Sequence, residues 1–506
     1  MRDSEHVQPF DLLIAGGGIN GAGIARDAAG RGLRVLLCER DDLAAHTSSA
    51  STKLIHGGLR YLEHYAFRLV AKALRERELL LRAAPHIIWP LRFVMPHVDG
   101  LRPRWMIRAG LFLYDALGGC SSLPRSHVIR LDQHPAGESL NGSLKHGYAY
   151  SDCGVEDARL VVLNALDAAE RGATIRPRTE VTGAERENPL WRVELRDSVS
   201  GRTETVRARA LINATGPWVG KRLNGDATAD QRRIRLVKGS HLVVPRIGRQ
   251  SEAYILQNPD RRIVFVIPYE GDYSLVGTTE ELYTDDPAAA HISEAETDYL
   301  LETLDRFFGA GLGRKDIVWT YSGVRPLVEN QAANISAVSR DYQLTLEATG
   351  GAPLLTIYGG KITTFRRLAE DALSRIAPHL GAPDWRWTAA TPLPGGDIPN
   401  ADFDDWQRRV ATRYRWLDAA LCRRLCRAYG TRVHEILGTA AGAQDLGEAI
   451  APSVFEAELR YLHDREWARC GEDVLWRRSK LGLHLSAAGR DAVNAWFEEK
   501  LSIVTA

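Results

Sequence analysis

The chain has 506 residues, 44% of them hydrophobic, which is enough apolar surface for two or three packed domains and excludes a disordered or fibrous chain. With 65 basic against 64 acidic residues the net charge is +1, so no global field favours nucleic acid and any anion site has to be built locally. Six cysteines (Cys38, Cys120, Cys153, Cys422, Cys426 and Cys470) form no CxxC and no His/Cys cluster at zinc-ligand spacing, so they read as reduced thiols in a cytosolic setting with no metal centre.

The polar N-terminus, MRDSEHVQPF, lacks the basic and apolar regions of a signal peptide, and no export is expected. The longest apolar runs, such as Ile263 to Tyr269, fall far short of the roughly 20 residues that a spanning helix needs, so any membrane contact is peripheral. Residues 11–15, DLLIA, suit a buried parallel strand; a helix follows from about Asn20 to Arg31, and a second strand from Arg34 to Glu39. Between strand and helix, Gly16-Gly17-Gly18-Ile19-Asn20-Gly21 fits G-x-G-x-x-G. Gly16 permits the tight turn, Gly18 lets the backbone approach a pyrophosphate, Gly21 lets helix and strand pack closely, and Glu39 stands ready to accept from a ribose. The helix N-terminus adds N–H groups and the positive end of its dipole. The motif by itself does not choose FAD over NAD.

A loop rich in hydroxyl residues runs from His46 to Gly58, and a long charged helix follows through about Arg82. Residues 87–118 interleave Arg92, Arg102, Arg104 and Arg108 with Trp89, Phe93, Trp105, Met106 and Phe112; this stretch reads either as a core helix with snorkelling arginines or as a surface for lipid headgroups. Segments 191–197, 203–215, SHLVVP, RIVFVIPY and YSLVGTT alternate as strands, and RALINATG supplies an apolar strand ending in Ala-Thr-Gly. From about Thr391 a Pro/Gly/Asp-rich stretch marks a domain boundary, and the remainder is helical. Cys422 and Cys426, four apart on one of these helices, are read as packing residues.

The strings GGGINGAG (16–23), TSSASTKLIHGGLRYLEHY (47–65), NATGPW (213–218), KGSH (238–241), VWTYSGVRP (318–326) and GGKITT (359–364) closely resemble the FAD-dependent respiratory glycerol-3-phosphate dehydrogenases, and the similarity spans about residues 9–500. The resemblance implies a mixed α/β fold: a Rossmann-like FAD-binding domain with an open parallel sheet, an antiparallel-sheet substrate domain and a helical C-terminal cap. The first two are expected to interleave within 1–390, the substrate sheet lying mainly within 85–150 and 225–345, with the cap at 391–506. It further implies oxidation of sn-glycerol 3-phosphate to dihydroxyacetone phosphate, a membrane quinone as final acceptor, and a cytoplasmic enzyme held peripherally on the inner face of the cell membrane. A homodimer is the expected assembly.

Oxidising a secondary alcohol by flavin needs a hydride acceptor, a base for the hydroxyl proton and cations for the phosphate. Within the matched strings, Arg60, Arg325 and Lys361 are the phosphate candidates, Arg340 a further one, and Tyr61 a hydrogen-bond donor to substrate. His56 and His241 are both base candidates, with the choice between them open, and Arg325 and Lys361 are placed at the reacting centre. For the cofactor the candidates are Gly16, Gly18, Ile19, Asn20, Gly21 and Glu39, the hydroxyl loop Thr47, Ser48, Ser49 and Ser51, the Ala214 and Gly216 turn, and Gly360 with Thr363. Competing readings are an oxidase that hands electrons to oxygen, an amine or amino-acid oxidase on the same scaffold, and an Arg-rich nucleic-acid binder. The last is disfavoured because the C-terminal arginines alternate with carboxylates.

Overall fold

The computed structural model describes residues 8–98, 100–119, 121–220, 234–328 and 341–505. The chain divides into two units: Met1–Ser48, Ala158–Ile234 and Pro326–Ala506 make the first, and Ser49–Asp157 with Arg235–Arg325 make the second. Cys120 and Arg340 lie outside the described residues.

In the first unit β1 (Phe10–Ala15), α1 (Ile19–Gly30) and β2 (Val35–Cys38) form the β-α-β start. Leu12, Leu13 and Ile14 have no exposed surface, as a strand covered on both faces requires. β1 pairs in parallel with β2 on one side and with strand Thr203–Asn213 on the other, bringing Ile14 opposite both Leu37 and Ile212. Strand Leu354–Tyr358 continues the parallel sheet beyond Thr203–Asn213, and Thr174–Arg176 continues it beyond β2. The chain thus leaves β1 to one side and returns on the other, and the carboxyl end of β1 is a topological switch point, where ligands settle in open α/β sheets. Helix Phe365–Leu380 packs on α1 so closely that a Cβ at Gly23 would lie 2.7 Å from the Phe365 ring.

The C-terminal part of this unit is helical, with its own apolar core built from Phe403, Tyr429, Leu459, Leu462, Trp496 and Phe497 among others. Asp402 and Asp418 cap its first two helices, Phe403–Arg413 and Ala419–Tyr429, through their side chains. Cys422 and Cys426 are free thiols buried in that core.

The second unit is built on a ten-stranded sheet. Ile88–Pro96 runs antiparallel to His146–Val155 and parallel to Ala253–Gln257. Helix Glu294–Phe308, started by a Ser293/Glu296 capping box, lays Leu300, Leu301, Leu304 and Phe307 on Val94, Leu242, Val244 and Val266 of that sheet.

Two local expectations are corrected. Residues 87–118 are not one helix: Ile88–Pro96 is an interior strand, paired along its length with His146–Val155, and only Arg104–Gly118 is helical. Tertiary pairing overrides the arginine-aromatic pattern there. The helix expected after Gly58 starts instead as a 3-10 turn, Leu59–His64, which stops at Tyr65 with φ of 56° before Phe67–Ala83 begins.

Candidate functional site

At the carboxyl end of β1 the glycines are required by contact. Gly16 has φ of 112°, and a Cβ on it would stand 2.4 Å from the Ala214 carbonyl oxygen; a Cβ on Gly21 would stand 1.9 Å from the Gly16 oxygen. Gly18 is the N-cap of α1, and a Cβ there would meet the Ser48 hydroxyl at 3.0 Å. That hydroxyl accepts from the Ile19 N–H at 2.9 Å, tying the serine loop to the first turn of the helix. No acidic side chain occupies that turn, where the positive end of the helix dipole favours an anion.

Glu39 follows β2, with one carboxylate oxygen accepting from the Gly17 N–H at 2.7 Å and the other from the Asp41 N–H at 2.9 Å. Burial pushes its pKa up, while the two amides oppose that shift. Each oxygen retains lone-pair capacity for a ribose diol. Asn20 donates through Nδ2 to the Gly359 carbonyl at 3.0 Å, and its Oδ1 is buried with no hydrogen-bond partner. Gly359 and Gly360 turn at φ of 72° and 115° beside it. Lys361, half-buried, starts the short turn Ile362–Thr364, in which Thr363 is buried. Gly216 turns at φ of 58° just after Ala214, whose N–H is held by the Ala15 carbonyl. Thr47 is half-buried next to Ser48. A bare glycine cradle at a helix N-terminus, a buried acid with spare acceptor capacity and an orphaned buried amide oxygen together fit a dinucleotide.

The second unit holds the other candidates. His241 has no exposed surface and stacks on Tyr321 at 4.7 Å between ring centroids. Its Nε2 lies 3.0 Å from the Thr52 hydroxyl, and its Nδ1 is buried without a partner. Gly277 makes room for the ring, since a Cβ there would lie 2.2 Å from the imidazole Cδ2. Burial, then the charges of Arg325 and Lys53, hold the His241 pKa well below its usual value, so the ring is neutral at physiological pH. Arg325 is partly exposed and lies 4.0 Å from the Glu280 carboxylate.

The loop 49–53 is held from below by a buried ion pair. Lys53 Nζ bonds both Asp157 oxygens and the Ser49 carbonyl, and Asp157 accepts from the N–H and hydroxyl of Ser51. Ser51 therefore has its hydroxyl engaged within the unit, and it also receives the Lys53 N–H. Tyr321 closes the arrangement by donating to the Ser51 carbonyl at 2.8 Å. Arg60 and Tyr61 lie half-buried on the 3-10 turn Leu59–His64, and His56 half-buried just before it. Among the described residues Arg60 has no carboxylate partner.

Sequence reasoning did not single out Thr52, Lys53, Asp157 or Tyr321. Three of them stand inside matched strings, but Asp157 carries no local signal beyond an acid opening a helix. A Glu39, Asp41 and His46 cluster has metal-like spacing, but Glu39 already accepts two amides and His46 bonds Asp41 at 2.7 Å.

A family model described as FAD dependent oxidoreductase matches residues 11–366, and one for the C-terminal domain of alpha-glycerophosphate oxidase matches 386–499. The chain belongs to the FAD-dependent oxidoreductase family. FAD is its cofactor, as the glycine cradle already required of some dinucleotide. The flavoenzyme is 50% identical over 495 residues to the aerobic glycerol-3-phosphate dehydrogenase of Escherichia coli, covering 97% of this chain and 98% of that protein. It is also 50% identical over 492 residues to the D-erythritol 1-phosphate dehydrogenase of Brucella abortus, covering 96% and 97%. Among solved structures, the glycerol-3-phosphate dehydrogenase of Bacillus halodurans complexed with FAD is similar with a TM-score of 0.79 at 27% identity, covering 98% of this chain and 91% of that one.

Proposed function

We propose that this flavoenzyme oxidises sn-glycerol 3-phosphate to dihydroxyacetone phosphate and delivers the electrons to a membrane quinone. The observation that carries the reading is full-length similarity at 50% identity to the aerobic glycerol-3-phosphate dehydrogenase. FAD, when bound, supplies a two-electron acceptor for the hydride leaving the alcohol carbon. Gly16, Gly18, Ile19, Gly21 and the first turn of α1 hold its pyrophosphate, Glu39 its ribose, and Thr47, Ser48, Ser49, Asn20, Ala214, Gly216, Gly360 and Thr363 the remainder.

In this reading Arg60 and Arg325 of the second unit bind the phosphate as planar forks, with Tyr61 as a further donor, and Lys361 is a separate cation candidate in the first unit. His241 and His56 are the two base candidates: burial keeps the His241 ring neutral at physiological pH, and His56 lies half-buried at the end of the hydroxyl loop.

Peripheral membrane contact is part of the proposal. In the second unit Trp105, Met106 and Phe112 are 71%, 45% and 66% exposed on helix Arg104–Gly118, with Arg104 and Arg108 exposed between them. Tyr65 and Phe67 add 80% and 39% at the start of the helix packed beside it. Apolar rings among cations suit an anionic headgroup layer on the cytoplasmic side. No described helix is long and apolar enough to cross a membrane. A homodimer completes the proposal, and its test is the mass of the detergent-free protein in solution.

The equal identity to a D-erythritol 1-phosphate dehydrogenase favours one second reading, a longer phosphorylated polyol as substrate. Anaerobic flavin spectra decide between them. Bleaching by glycerol 3-phosphate at lower concentration than by erythritol 1-phosphate, and not by glycerol, supports the first; the reverse order establishes the second, and no bleaching by either refutes both.

A further inference from the structure

The helical C-terminal part reaches back to the turn that carries the ribose acceptor. After β2 the chain passes through Glu39, Arg40, Asp41 and Asp42, and Asp42 is 3% exposed. Its carboxylate is gripped by two guanidinium groups from more than 430 residues away: Arg478 through both terminal nitrogens, Nη2 at 2.8 Å, and Arg477 through Nε at 2.6 Å. Arg477 also bonds Asp473 at 2.5 Å, and Arg178 bonds Asp473 at 2.7 Å. The N–H of Arg178 in turn holds the Asp41 carbonyl at 2.7 Å, and the N–H of Thr179 holds the Glu39 carbonyl at 2.7 Å.

Asp473, Arg477 and Arg478 all sit on a π-helical turn, Asp473–Arg478. Its i→i+5 bonding brings residue 478 back over residue 473, so both arginines leave the side that carries the aspartate; such turns recur at functional positions. Asp473 and Arg478 have no exposed surface and Asp42 only 3%, and burying such charges is costly unless each is paired, as they are here.

We propose that Arg477 and Arg478 are positioning residues for the adenosine half of FAD. They fix Asp42, the Asp41 N–H then fixes one Glu39 oxygen, and the Glu39 carboxylate is thereby presented to the ribose diol. The C-terminal part thus contributes to cofactor retention without touching the cofactor. The inference rests on reading Glu39 as the ribose acceptor.

The test uses the full-length protein, stripped of flavin and titrated separately with FAD, ADP and FMN. FMN lacks the adenosine, so loosening confined to the Glu39 turn leaves it unaffected. Arg478→Met is expected to weaken FAD and ADP about tenfold or more, the equivalent of one charge-assisted hydrogen bond, while FMN changes less than about twofold. Arg478→Lys recovers part of the loss. If Arg478→Met does not fold, Arg477→Met, at a less deeply buried side chain, gives the same readout. Equal weakening of FMN, or unchanged FAD and ADP affinity in a folded variant, overturns the proposal. Glu39→Ala in the same titration separates the two readings: if it weakens FAD and ADP while the arginine variants do not, only the clamp falls, and if it has no effect both fall.

Discussion

Replacing Lys53 by methionine removes an ammonium that bonds both oxygens of Asp157, at 2.9 and 3.0 Å, and the Ser49 carbonyl at 2.9 Å, while keeping a side chain of similar length. The Asp157 side chain has no exposed surface and that of Lys53 only 4%, so the change strands a carboxylate in the interior. Breaking a buried pair this way costs about 3–5 kcal/mol. For a unit of this size each kcal/mol lowers the melting temperature by about 2–4 °C, which gives a drop of roughly 6–20 °C for the transition of the second unit. The double variant with Asp157→Asn keeps an acceptor for Ser51 and removes the stranded charge, so it should recover about half of the loss or more. Differential scanning calorimetry of wild type, both single variants and the double variant gives the coupling directly. The same substitution removes one of the positive charges that depress the His241 pKa, so the acid limb of kcat/KM should move to higher pH. A Lys53→Met protein as stable as wild type, or a double variant no better than the sum of its parts, would refute the assignment of this pair as the support of the 49–53 loop.

Gly277→Ala places a Cβ 2.2 Å from the His241 ring against a fully buried site, so kcat should fall at least tenfold while flavin content is retained. Because His241 in the folded protein has a pKa well below its unfolded value near 6.5, the unfolded chain binds the extra proton first. Stability should therefore be level above about pH 6.5 and decline as pH falls below it, and His241→Gln should flatten that part of the pH–stability curve. Gly16→Ala combines a strained φ of 112° with a Cβ 2.4 Å from the Ala214 oxygen, and purified protein should carry little flavin by its 450 nm-region absorbance. Trp105→Ala with Phe112→Ala removes two exposed rings at about 1.5–3 kcal/mol each when fully buried in lipid. Binding to anionic vesicles should thus weaken at least tenfold, with turnover on a soluble acceptor intact.

What was legible in the sequence was the part whose geometry is local. The first strand, the glycine turn, the helix and the second strand follow within about 30 residues, and β1, α1 and β2 lie within a residue or so of the expected bounds. The strand Ile88–Pro96 falls within the stretch 85–150 expected to carry the substrate sheet, but it was not placed individually, because its position is decided by His146–Val155, some 60 residues on, and not by its own residue pattern. The same holds at the candidate site. Thr52 meets His241 across 189 residues and Lys53 meets Asp157 across 104, so the single-residue signals of His241 and Ser51 gave no indication that one is held neutral and the other engaged in a buried pair. Longest of all is the reach from Asp42 to Arg478, 436 residues, between a turn that reads as the end of a nucleotide motif and a helical segment that reads as a separate domain. In composition those C-terminal arginines look like a solvated charged face. Only the burial of Asp42, Asp473 and Arg478 shows that some of them are internal, and a buried arginine is held to one partner geometry in a way that a solvated one is not.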